Sequence, residues 1–133
     1  MLDFLRRQVI DALARETRVT LTTGGIAGLQ TSVLPCESSE MRLFVLIPPT
    51  SDHLANIDGQ PECVAVAERW ELRGVAGRTS PHEHPTLALA CTVDAEWKAL
   101  IEIHPLRLQI ARPDGVGYAA TIDIDESFPK KGV

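Results

Sequence analysis

Apolar positions recur at helical spacing only at the start of the chain. Leu2, Leu5, Val9 and Leu13, with Phe4 and Ile10 beside them, form one stripe, while Arg6, Arg7, Asp11 and Arg15 fill the other face. This predicts an amphipathic helix within residues 1–16 that packs its stripe on one end of a larger body. From Arg18 the period drops to two. Val19 and Leu21 alternate with Thr20 and Thr22, a half-buried strand, and Gly24-Gly25 offers the positive φ angles of a tight hairpin. Leu29–Pro35 follows as a second strand. Met41–Ile47 is almost unbroken apolar, as expected of a strand covered on both faces. Pro48-Pro49 ends it, because proline cannot donate to a ladder. Ser51 can then cap a helix of one to two turns over Asp52–Asp58, closed by Gly59.

Two further strands, Glu62–Ala67 and Trp70–Arg78, come next, followed by the irregular loop Thr79–Pro85. Leu87–Cys91 is apolar and fits helix or strand. Trp97–Ile103 and Leu106–Ile110 read as two strands with a bend at His104-Pro105, and Pro113–Gly117 reads as a turn. Residues 123–133 form a C-terminal tail. A run of strands curling around one short helix predicts a mainly β fold with flanking helices. Specifically, it predicts an antiparallel split β-barrel with an N-terminal helix and a short helix after the third strand, in one domain spanning 1–133.

Composition narrows the function classes. The chain has 133 residues, 44% hydrophobic and 23% charged, ordinary values for a folded domain that buries a real core. Its formal net charge of −5, with Lys and Arg scattered, argues against nucleic acid or an anionic membrane as the main partner. No stretch approaches the roughly 20 apolar residues of a bilayer span, and Met1–Arg7 has no apolar run of the signal-peptide kind. Cys36, Cys63 and Cys91 cannot all pair within one chain and lack zinc-ribbon spacing. A reduced, cytoplasmic setting is the expectation.

The first candidate for chemistry is the turn at Pro48–Asn56. Free N–H groups at a helix start, beside the Thr50 and Ser51 hydroxyls, can hold a phosphate. A plain helix cap at Ser51 is the competing explanation, and Asp52 in the first turn repels a phosphate dianion. The second is Pro81-His82-Glu83-His84-Pro85, where paired histidines with Glu83, His53 or His104 could hold a transition metal, although such a loop is more often only solvated. Trp70 and Trp97 read as core or interface anchors. Gly115 and Gly117 belong to a turn, since a dinucleotide fingerprint needs more glycines and a following helix. Asp123, Asp125 and Glu126 make an acidic stripe without the glycine and distal glutamate of a calcium loop. No serine or cysteine sits in an activating context.

Several segments together resemble the FMN-binding split-barrel family related to pyridoxamine 5'-phosphate oxidase. They are Val19-Thr-Leu-Thr-Thr23, the Thr31-Ser-Val33 strand, Leu43-Phe-Val-Leu-Ile47 leading to Ser51-Asp-His-Leu-Ala-Asn56, and Trp70-Glu-Leu-Arg-Gly74 with the Gly77-Arg78 step. The resemblance implies a cytoplasmic homodimer that traps FMN between two barrels and acts as a small flavin-dependent oxidoreductase on a small-molecule substrate. On that basis Gln30, Thr31, Ser32, Ile47 and Pro48 would face the flavin ring, and Thr50, Ser51 and His53 would meet its phosphate. The chain departs from the family pattern at two positions: His53 stands where lysine is usual, and Ala55 where arginine is common. Each charge-assisted bond is worth about 1.5–3 kcal/mol, so losing both weakens binding by roughly two to four decades unless Arg18, Arg42 or a partner's arginine substitutes. Two alternatives stand beside this reading. One is a cofactor-free dimeric barrel that binds a small ligand. The other is a haem- or metal-binding barrel using His53, His82, His84 or His104.

Overall fold

The period-two segments become one antiparallel sheet that curls until its ends meet. A computed structural model describes residues 2–89 and 99–124, so Cys91, Trp97, Asp125 and Glu126 lie outside the described residues. Helix α1 is Leu2–Ala14, followed by β1 Arg18–Thr23, β2 Gln30–Ser39 and β3 Arg42–Ile47. Helix α2, Asp52–Gly59, leads into β4 Glu62–Val66 and β5 Trp70–Thr79; β6 Ala99–Ala111 and β7 Tyr118–Asp123 complete the chain. Among the described residues the strand order is β3-β2-β1-β4-β5-β6-β7, and β3 also pairs with β6. That last pairing closes a six-stranded barrel and leaves β7 as an added strand on β6. Closure removes the edges that an open sheet would expose.

Alternation fixes what lies inside. Val19 and Leu21 from β1, Leu43, Val45 and Ile47 from β3, Leu72 from β5, and Ile101, Ile103 and Leu108 from β6 form the barrel core. Each such side chain contributes about 1.5–3 kcal/mol of burial free energy. Helix α1 lays Val9 and Leu13 on this core, and the Trp70 indole N–H donates to the Ala12 carbonyl at 2.9 Å, fixing the helix at its last turn. Strand β3 is covered on both faces, as its unbroken apolar run predicted. Its outward Phe44 and Leu46 pack with Leu87 and Leu100 in a second, smaller cluster.

Several expectations need correction. The Gly24-Gly25 turn is a six-residue loop, Gly24–Leu29, with positive φ at Gly25 and Gly28. Pro35 does not end β2. It faces Arg18 at the end of the β1 ladder, and from Cys36 the strand pairs with β3 instead. His104-Pro105 does not divide two strands, because β6 is continuous. A bulge there puts Pro105 opposite Gly74 and Arg107 opposite Arg73. Residues up to Ile103 pair with β3 and those from Arg107 pair with β7, so the proline sits where the strand exchanges neighbours and needs no second ladder bond. Asp123 belongs to β7, not to a tail, since the segment after the Gly117 turn returns along β6.

Candidate functional site

Helix α2 plugs the barrel end nearest Thr23. Ser51 caps it, accepting the His53 backbone N–H at 3.2 Å. A residue two positions into the helix points back at the sheet, so His53 enters between β1 and β2 and is 1% exposed. Its Nδ1 lies 2.7 Å from Thr23 Oγ1, and its Nε2 lies 3.0 Å from Ser32 Oγ. Asn56, one turn on, is fully buried. It donates to Thr23 Oγ1 at 3.2 Å and to the Gly28 carbonyl at 2.8 Å, and it accepts the Ala27 N–H at 2.9 Å.

One proton arrangement satisfies all these groups together: with Asn56 donating to Thr23, the Thr23 hydroxyl donates to His53 Nδ1 and Nε2–H donates to Ser32. Burial pushes the imidazole below the ordinary histidine value, only partly offset by the Asp52 carboxylate. The ring is therefore neutral at pH 7. The network holds the Gly24–Leu29 loop against α2.

The predicted site residues divide among four places. Ser32, Ser51 and His53 meet in this network. Gln30 donates to the Ala27 carbonyl at 3.0 Å beside it. Ile47 is fully buried in the core. Pro48 and Thr50 are exposed on the approach to α2. Thr31 lies on the outer face of the sheet, its hydroxyl 3.1 Å from that of Thr22. Thr23 and Asn56 were not singled out in the sequence; the spacing of Asn56 three residues after His53, on one helix face, was the available signal.

The outer face is the more open surface. Val33 lies opposite Thr20, and Thr20 opposite Val66; in the next row come Thr31, Thr22, Val64 and Arg73. Leu29 (79%), Val33 (61%), Leu106 (42%) and Val66 (40%) are exposed large apolar residues along or beside this strip. A groove of about 200 Å³ crosses it, with Thr22, Leu29, Val64 and Leu106 among its walls and the charged Glu62 and Arg73 at its sides.

Several charges elsewhere are paired. Arg78 makes a bidentate contact with Asp58 at 2.9 and 2.8 Å, which lowers the Asp58 carboxyl and raises the guanidinium. Glu102 lies 2.8 Å from Arg42, 3.1 Å from His104 and 3.6 Å from His84. Its Oε2 nonetheless lacks a well-directed hydrogen bond. The His84 ring rests on Phe44, centroids 4.7 Å apart. Among the described residues no three His, Cys, Asp or Glu side chains are arranged to hold a metal ion. His53 lies in the α2 network, whereas His84 and His104 meet at Glu102.

Solved structures share this architecture. General stress protein 26 from Bacillus anthracis superposes with a TM-score of 0.66 at 13% identity, covering 89% of this chain and 98% of that one. A Clostridium acetobutylicum protein related to general stress protein 26, of the pyridoxinephosphate oxidase family, gives 0.65 at 10% identity over 96% and 97%. An F420 reductase gives 0.57 at 15% identity over 74% and 94%. The chain has the split-barrel fold. No protein-family model and no curated protein matches the sequence, so for this split barrel the likeness is one of architecture. No helix among its described residues is long and apolar enough to cross a membrane.

Whether this split barrel suits FMN can be tested at α2. The Ser51 hydroxyl is occupied by the cap, the His53 imidazole points inward, and Asp52 is exposed at the helix start. The residues at this turn do not fit a phosphate dianion.

Proposed function

We propose that the protein is a homodimeric split barrel that binds a small planar ligand of the flavin class between two outer faces, as a small oxidoreductase of the pyridoxamine 5'-phosphate oxidase-like type. The observation that carries this reading is the exposed Val33–Thr20–Val66 row beside the Leu29, Val64 and Leu106 groove. Exposed valines on a sheet face beside a partly apolar groove are the kind of surface that a second copy can cover. A groove of about 200 Å³ is below the usual size of a cofactor site, and a second copy laid over it would complete the enclosure. The names of the structural neighbours, an F420 reductase and a member of the pyridoxinephosphate oxidase family, support a redox ligand. A bound flavin supplies the electron chemistry. This chain's residues would bind and orient it, Thr22 and Thr31 through hydroxyls and Leu29, Val64 and Leu106 through apolar contact.

The test is the visible absorbance of the purified protein, before and after incubation with flavins, together with its molar mass by light scattering. A flavin spectrum on a dimer is the expected result. A colourless dimer that leaves flavin fluorescence unquenched would favour the second reading, a cofactor-free dimeric barrel for another small ligand. That reading draws support from the carboxylate at the α2 turn, where a phosphate would otherwise sit.

A further inference from the structure

We infer that the start of α2 is closed to phosphoryl groups, so the site takes a flavin-class ligand without a terminal phosphate, riboflavin in preference to FMN. The inference deepens the reading above, and it rests on how this chain uses its own helix start.

An anion site at a helix N-terminus needs unoccupied N–H groups and a favourable field. Three of the N–H groups here already have acceptors, and only that of Asp52 is left over. That of Ser51 donates to the Pro48 carbonyl at 3.0 Å, that of His53 to the Ser51 hydroxyl at 3.2 Å, and that of Leu54 to the Ser51 carbonyl at 3.1 Å. Between them stands Asp52, whose exposed carboxylate already answers the positive end of the helix dipole. A phosphate dianion would have to displace the Ser51 cap and sit against that carboxylate.

Neither His53 nor Arg18, Arg42 or Arg78 offsets this at the helix start. His53 is buried and neutral, with both ring nitrogens partnered. Arg78 is held in two bonds by Asp58, and Arg42 lies 2.8 Å from Glu102. Arg18 and Arg42 begin strands whose opposite ends, Thr23 and Ile47, approach α2. Five strand steps place each about 16 Å along its strand from the helix start.

Two measurements on the intact protein decide the matter. In the first, inorganic phosphate is titrated at constant ionic strength while the backbone amide resonances of residues 51–54 are followed. No saturable shift is expected, and a saturable shift centred on these amides would overturn the inference. In the second, riboflavin and FMN are compared by quenching of their fluorescence. Riboflavin is expected to bind at least as tightly, and tenfold tighter binding of FMN, about 1.4 kcal/mol, would overturn the inference. Asp52→Lys, at an exposed position, should raise FMN affinity several-fold and leave riboflavin unchanged; equal gains for both would also count against it. If neither flavin binds, the flavin reading fails, whereas a flat phosphate titration still upholds the closed helix start.

Discussion

His53 is a polar side chain placed where a barrel of this size would otherwise carry an apolar one, and its contacts make its protonation state consequential. In the fold its pKa lies below the ordinary value near 6.5, chiefly through burial. A depressed histidine binds fewer protons folded than unfolded. Its stabilising effect is complete above about pH 6.5 and is lost as the pH falls from there toward the folded pKa. Thermal melts should therefore show Tm declining between pH 7 and pH 5. A His53→Gln variant, less stable at pH 7, should decline with a shallower slope, and parallel slopes would contradict the assignment. The proton pattern points the same way as burial: a second proton on Nδ1 leaves Thr23 Oγ1 facing two donors, its own hydrogen without an acceptor. Asn56→Ala removes three hydrogen bonds at once and leaves the Ala27 N–H without its acceptor. It should cost about 2–3 kcal/mol in urea unfolding.

At the level of elements, the bulge in β6 carries the most testable detail. Gly74 faces Pro105 across it, and a Cβ there would come 2.7 Å from the His104 carbonyl and 2.8 Å from Ile103 Cγ2. Backbone cannot retreat as a flexible side chain can, so Gly74→Ala should destabilise by about 1–3 kcal/mol, read by chemical denaturation. The pattern of apolar residues made the helices and most strands legible. Ser51 marked the start of α2 correctly, whereas the helix runs through Gly59 and Gln60 is its C-cap; the doubly covered β3 followed from Leu43–Ile47. What misled was proline. Pro35 and Pro105 each stand where a strand exchanges one neighbour for another, a fact of pairing that no local signal carries. The candidate site was legible only in part for a similar reason. That Ser51 and His53 lie at the helix start is local, but that His53 turns inward to Ser32 and Thr23 depends on contacts 21 and 30 residues away.

For the whole molecule, the exposed strip on β1, β2 and β4 is the proposed dimer face. Val33→Lys combined with Val66→Lys places two cations on the proposed dimer face without touching the core. The variant should elute as a folded monomer and lose any flavin the parent protein binds, as judged by light scattering and absorbance. A variant that stays dimeric would move the interface elsewhere. The closed barrel also bears on two buried thiols. Cys36 and Cys63 are buried, and burial pushes both up to about 12, with Glu16 adding to the effect at Cys36. Thiolate is the reactive form, so neither sulfur should react with iodoacetamide while the strands remain paired. Peptide-resolved alkylation of these two cysteines thus becomes a native stopwatch, timing each opening of the cylinder without an added dye or tag.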